Sequence, residues 1–293
     1  MRRIAAGSFA FASVLAATSA LAADLPARTY TKAPVIVDPG YNWTGFYVGA
    51  NGGYSWGRAN TSLTAPSPLP AIFPVAAFAP FRTNVNGGIA GGQLGYNWQV
   101  DPKWVLGLEG DAQWSGERSS STLTAVGPRY GSSIVGIPGG TDFNAIITQT
   151  ANLAYDLQWF ATFRGRAGWL ADPQTLLYGT GGLAVGGFRY AAQGTVALQV
   201  FGPGLGGTTP GFGFTVPGAA AAQSDTRAGW TLGAGVERKI TRNWSAKLEY
   251  LYLDFGSRRF FAGTANEADV SFRDHIVRVG INYEWYPTVV AKY

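Results

Sequence analysis

Cysteine is absent from this chain, and histidine and methionine occur once each. Without cysteine there is no disulfide framework and no thiolate nucleophile, and one histidine is poor material for a metal site. No metal and no cofactor is therefore expected. Charge is also scarce: 13% of residues are charged, against the ~25% of a typical soluble domain. The net charge of +5 falls to +3 once Arg2 and Arg3 are set aside with a leader. So small a balance, with no basic run interleaved with aromatics, excludes nucleic acid as an expected partner. Long apolar runs are missing too. Beyond Ala23 none reaches the roughly 18 residues of a spanning helix.

What is present is glycine and aromatic surface, with 41 glycines and 41 Trp, Tyr and Phe residues together. Arg2 and Arg3, a short apolar run and Ala20-Leu21-Ala22 have the layout of a cleaved secretory signal peptide over 1–22. Residues 23–42 carry Pro26, Pro34, Pro39 and Gly40, which suits a linker on the periplasmic side. The remainder divides into a main domain over 43–286 and a short tail over 287–293.

From Thr44 the chain alternates with period two. Phe46, Val48, Ala50, Tyr54 and Trp56 oppose Tyr47, Asn51 and Ser55, which makes a strand with unlike faces. The same alternation recurs around 87–99, 104–114, 153–169, 230–237, 244–252 and 277–285. A Gly-rich segment over 176–190 completes an even set of eight strands. Within 153–169, Leu153, Tyr155, Leu157, Trp159 and Phe163 are expected on the outer face, opposite Asp156, Gln158, Arg164 and Arg166.

The connections alternate in length. Val100–Lys103, Ala171–Gln174 and Thr241–Asn243 are tight, while 58–82, 117–150, 193–225 and 257–271 are long. Short turns on one side and long loops on the other are the layout of an outer-membrane barrel, with periplasmic turns opposite extracellular loops. A soluble sandwich has strands of about five or six residues and no reason to place Trp or Tyr repeatedly at strand ends. The expected fold is an all-β, eight-stranded antiparallel up-and-down transmembrane β-barrel.

An eight-stranded barrel is just wide enough for side chains to fill. Its inward face is expected to carry a packed polar core of Glu109, Asp111, Asp156, Glu237, Glu249 and Glu284 with Arg164, Arg166, Lys247 and Arg278. Near-balanced charge is what an enclosed region requires, because an unpaired buried ion is very costly. A small ion-conducting pore through the same network is the alternative. His275 lies on the outward parity of the last strand, with Ser271 and Asp269 preceding it on that parity. An interface residue, a haem ligand and a lipid-modifying histidine are the three roles open to it; no catalytic residue is assigned. The segments 65–81 and 197–222 are apolar for loops, which suggests contact with lipopolysaccharide, a neighbouring barrel or a partner, or mutual burial over the barrel mouth.

The segments "YNWTGFYVGANGGYSWG", "WFATFRGRAGW", "GWTLGAGVERKITRNWSAKLEYLYLDFG" and "HIVRVGINYEW" resemble the small alphaproteobacterial outer-membrane β-barrel proteins, of the OmpA/OmpX-like eight-stranded class. The resemblance covers nearly the whole of 23–293. It implies an abundant, non-enzymatic surface barrel that supports the envelope and meets the host or environment; some relatives are porin-like and some bind haemin. The last strand also resembles the signal read by the barrel-assembly machinery, mapped onto Arg278, Gly280, Tyr283 and Trp285. The expected partners are that machinery, outer-membrane lipid and lipopolysaccharide, and a host surface or neighbouring barrels.

Overall fold

The computed structural model describes residues 40–64, 78–127, 144–201, 210–260 and 267–285. The expected leader, nearly all of the expected linker and the expected tail over 287–293 lie outside the described residues, as does most of the apolar segment 65–81. Eight strands follow one another: β1 (Gly45–Thr64), β2 (Phe81–Gln99), β3 (Trp104–Val126), β4 (Asn144–Asp172), β5 (Thr175–Phe201), β6 (Pro210–Lys239), β7 (Trp244–Phe260) and β8 (Glu267–Trp285). Each pairs antiparallel with its chain neighbours, and β1 pairs with β8 from Phe46↔Trp285 to Thr64↔Glu267, which closes the barrel.

The tight turns are built by their own side chains. Asp101 Oδ1 accepts the N–H groups of Lys103 and Trp104 at 2.6 and 2.8 Å. Asp172 Oδ1 accepts that of Gln174 at 2.8 Å, and Thr241 Oγ1 that of Trp244 at 3.1 Å. Asx and Ser/Thr turns of this kind reverse the chain in few residues. On β3 the outward Trp104 and Trp114 are ten residues apart. That is about 33 Å along a strand, or about 25 Å of height once it is tilted by ~40°. Trp104, Trp169, Trp244 and Trp285 mark the periplasmic edge of this exposed apolar band, and Trp56, Trp114, Trp159 and Trp230 the other.

The strands do not stop at the outer edge of the band. Much of what reads as long loop is strand: β5 continues to Phe201, and β6 begins at Pro210, paired through Thr195↔Pro217 and Leu198↔Phe214. The Pro, Gly and Ala content of 197–222 mimics a loop, yet the β5–β6 ladder includes 197–201 and runs from Pro210 on, while 202–209 lie outside the described residues.

A second correction concerns parity. A β-bulge between Leu157 and Trp159 puts both Gln158 and Trp159 on the exposed side. Beyond it, Leu153, Tyr155 and Leu157 point into the barrel and Asp156 points out. An extra residue shifts one strand against its partners, so the strict alternation expected for 153–169 holds only from Trp159 onward. The third correction concerns the lumen, which is not polar throughout. Above the band its inward face is apolar: Leu251, Leu253 and Phe255 continue the face of Lys247 and Glu249, and Ile276 and Phe272 that of Arg278.

Candidate functional site

Three stacked levels fill the lumen. At the periplasmic end Trp43, Val105, Leu170, Leu176 and Tyr178 form a small apolar cluster. Trp43 is tied down by its backbone N–H to Gln99 Oε1 at 3.1 Å and its indole N–H to the Pro173 carbonyl at 3.2 Å.

Above it lies the ionic level. Arg164 donates to Asp111 Oδ2 at 2.8 Å, to Glu249 Oε1 at 3.1 Å and to Glu109. Arg278 reaches Glu249 Oε2 at 2.7 Å through Nε and Asp111 Oδ2 at 3.1 Å through Nη2. Lys247 Nζ sits 2.9 and 2.8 Å from the two oxygens of Glu109. Arg166 pairs with Glu237 at 2.6 Å and lies over the Tyr178 ring at 4.1 Å. Remaining lone pairs are taken by hydroxyls and amides: Tyr47 on Glu109 at 2.7 Å, Tyr178 on Glu249 at 3.0 Å, and Ser245 and Asn282 on Glu237 at 2.6 and 2.7 Å. Glu284 pairs with Lys239 Nζ at 2.5 Å, and that ammonium rests 4.4 Å from the Trp43 ring.

Five carboxylates thus meet five cations, all buried. Full pairing with hydrogen-bonded lone pairs is the condition under which buried charge is tolerated. Nine of the ten residues expected in this network are here; Asp156 is not. It lies on the outer wall, opposite Arg118 on β3 and Arg189 on β5, because of the bulge. Lys239 was missed: it sits two residues past Glu237 on the same face, where the alternation runs into the turn.

The third level is the aromatic one, where Phe188 packs edge-to-face on Phe255 and Phe272 at 5.0 and 5.1 Å, beside Tyr155 and Tyr190. Between the ionic and aromatic levels, Glu117 and Asp274 are buried without a cation in ion-pair reach among the described residues. Ser55 donates to Asp274, and Ser115 to Glu117 at 3.2 Å. Both acids keep the inward parity of their strands, and that was the signal available for them.

His275 stands on the outer wall at the upper edge of the band. Its Nδ1 lies 2.7 Å from Tyr250 Oη, and its ring is stacked on Trp56 with centroids 6.1 Å apart. Of the assembly-signal residues, Arg278 points into the ionic level. Tyr283 and Trp285 face outward in an aromatic run, with centroids 5.1 Å from Trp244 to Tyr283 and 4.9 Å from Tyr283 to Trp285. A side chain at Gly280 would meet the Ala50 carbonyl at 3.1 Å, so the closing seam is tight there.

A closed antiparallel barrel with an apolar outer band, aromatic rims and charge enclosed inside defines an integral outer-membrane protein. The chain belongs to the outer membrane protein beta-barrel domain family, which it matches over residues 8–284. It is 32% identical over 275 residues to the 31 kDa outer-membrane immunogenic protein of Brucella melitensis, covering 92% of this chain and 95% of that one. It is 27% identical to the 22 kDa outer membrane protein of Rhizobium leguminosarum, covering 85% and 81% of the two chains. Among solved structures it is similar to OprG from Pseudomonas aeruginosa, with a TM-score of 0.40, 10% identity, and 85% and 99% of the two chains covered.

Proposed function

We propose that this barrel is closed to solutes, serving as a structural element of the outer membrane that carries an interaction surface on its extracellular wall. The observation that supports this reading is the filling of the lumen at three successive heights, by Trp43 and its neighbours, by the Arg164–Arg278 network, and by the Phe188 cluster. An ion would have to displace a buried network in which each of the five carboxylates has a cation, and then an aromatic core. Exposure at the surface is consistent with relatives named immunogenic. Purified protein in planar bilayers is expected to give no stepwise currents; discrete conductance steps would sink the closed reading in favour of a narrow porin.

On this reading His275 is an interface residue rather than a haem ligand or catalytic base, since it is held among Trp56, Tyr250 and Tyr252. A His275→Ala variant is expected to leave haemin binding and the lipid profile of the envelope unchanged.

A further inference from the structure

Arginine is distributed unevenly on the outer wall above the apolar band. Arg118 and Arg189 flank Asp156 across the ladder, and Arg259 is 3.3 Å from Glu267. On the wall of β8, β1 and β2 this compensation fails. Arg58 is directly opposite Arg273 across the β1–β8 pair, and Arg82 is opposite Asn60, two positions above Arg58 on the same face. Arg273 has Asp254 at 3.1 Å. Arg58 and Arg82 have no carboxylate in ion-pair reach among the described residues, and both are exposed. Like charges directly opposite on one sheet face are destabilising, so the pair calls for an external anion.

Three hollows lie one below another on this wall. The uppermost, of about 290 Å³, is lined by Arg58, Arg82, Arg273, Asn60, Tyr252 and His275. Beneath it one of about 430 Å³ is walled by Tyr54, Trp56, Asn84 and Asn86. The lowest, of about 650 Å³, is a bare apolar trough over Ala50, Gly52, Leu248, Val279 and Ile281, with Arg238 at its periplasmic end. From Arg58 to Gly52 is six residues of one strand, about 20 Å. Cationic above, amide and indole in the middle, and apolar below is the profile of an amphiphile whose head carries phosphate.

We propose that the outer wall of β7, β8, β1 and β2 is a binding track for a phosphorylated, acylated saccharide of the outer leaflet, the chemistry of lipid A. Arg58 and Arg82 hold a phosphate, Asn84 and Asn86 face the sugar, and an acyl chain lies in the trough over Gly52 and Ala50. Guanidinium groups suit this task because their planar fork matches phosphate oxygens two at a time. The inference needs the barrel's place in the outer membrane but not a closed lumen, so it and the conductance test stand or fall separately.

Native mass spectrometry of the protein in detergent, titrated with bisphosphorylated lipid A and with the same lipid dephosphorylated, tests the proposal. Bisphosphorylated lipid A should bind about tenfold or more tighter than the dephosphorylated form. R58Q/R82Q should erase that difference, while R242Q in a periplasmic turn keeps it. Unheated electrophoretic mobility reports folding of each variant. Equal binding of the two lipids to the unaltered protein overturns the proposal without any variant. A difference that survives in folded R58Q/R82Q also overturns it, as does displacement of the lipid by inorganic phosphate at equal concentration, which would mark a site for the free ion.

Discussion

Arg164 touches three carboxylates at once, Glu109, Asp111 and Glu249, and has no solvent-exposed side-chain surface. Replacing it with Leu leaves those acids short of a cation in a space that water does not reach. Breaking a buried ion network from one side costs about 3–5 kcal/mol. Arg164→Leu is therefore expected to lower the urea stability of the vesicle-inserted barrel by about that amount, read from equilibrium tryptophan fluorescence. Removing an exposed rim charge such as Arg259 should change it by less than about 1 kcal/mol. At this scale the sequence was readable wherever parity was followed within a strand already recognised. Glu109, Asp111, Glu237 and Arg278 were found in that way. Glu117 falls in the segment 117–150 that reads as a loop, and Lys239 and Asp274 lie just outside the alternating runs 230–237 and 277–285, although the same alternation carries through all three.

At the scale of the strand, one residue decides what half of β4 does. Gln158 is the extra residue at the bulge, and it sets Leu153, Tyr155 and Leu157 inward with Asp156 outward. Deleting Gln158 makes the ladder to β5 continuous and leaves that apolar set inward, whereas deleting Asp156 turns Leu153 and Tyr155 toward solvent. The Gln158 deletion is therefore expected to keep a folded, heat-modifiable band on electrophoresis, and the Asp156 deletion to lose it. β6 offers a milder case. A Cβ at Gly235 would lie 2.6 Å from the Tyr178 ring and 2.8 Å from the Leu248 carbonyl of β7, so Gly235→Val should displace Tyr178 from Glu249, strain the β6–β7 ladder and lower stability. Periodicity reveals which residues share a face only while the count is unbroken. A bulge leaves no mark in composition, and this is why the outer half of β4 was misread while its Arg164–Trp169 half was read correctly.

For the whole molecule, the governing fact is a change of solvent along the barrel axis. Within the membrane band the outer face is apolar and the inner face is ionic. Above it Arg58, Asn84, Arg118 and Arg189 face out and Phe188, Leu253 and Phe272 face in, as in a water-soluble barrel. Each face obeys the same rule, that apolar area leaves water, and the inversion follows from what surrounds it. The strand number, the tight turns and the aromatic rims were all legible, because lipid imposes them directly. The upward continuation was not, since a strand with water outside and a core inside is written like a loop when it is rich in Gly, Ala and Pro. Truncating Phe188 to Ala should cost about 3–5 kcal/mol and lower the melting temperature, with bilayer insertion unaffected, since the membrane band is untouched.

The strands that rise past the outer aromatic rim have a consequence for anything that meets this protein from outside. Their backbone N–H and C=O groups are already engaged in the ladder, so a peptide copied from one segment would not reproduce the surface. What faces an antibody or receptor there is a fixed lattice in which neighbours come from distant parts of the chain: Arg58 beside Arg273, and Asp156 between Arg118 and Arg189. Recognition of that wall is recognition of a fold, and sera raised against the denatured chain should bind it poorly.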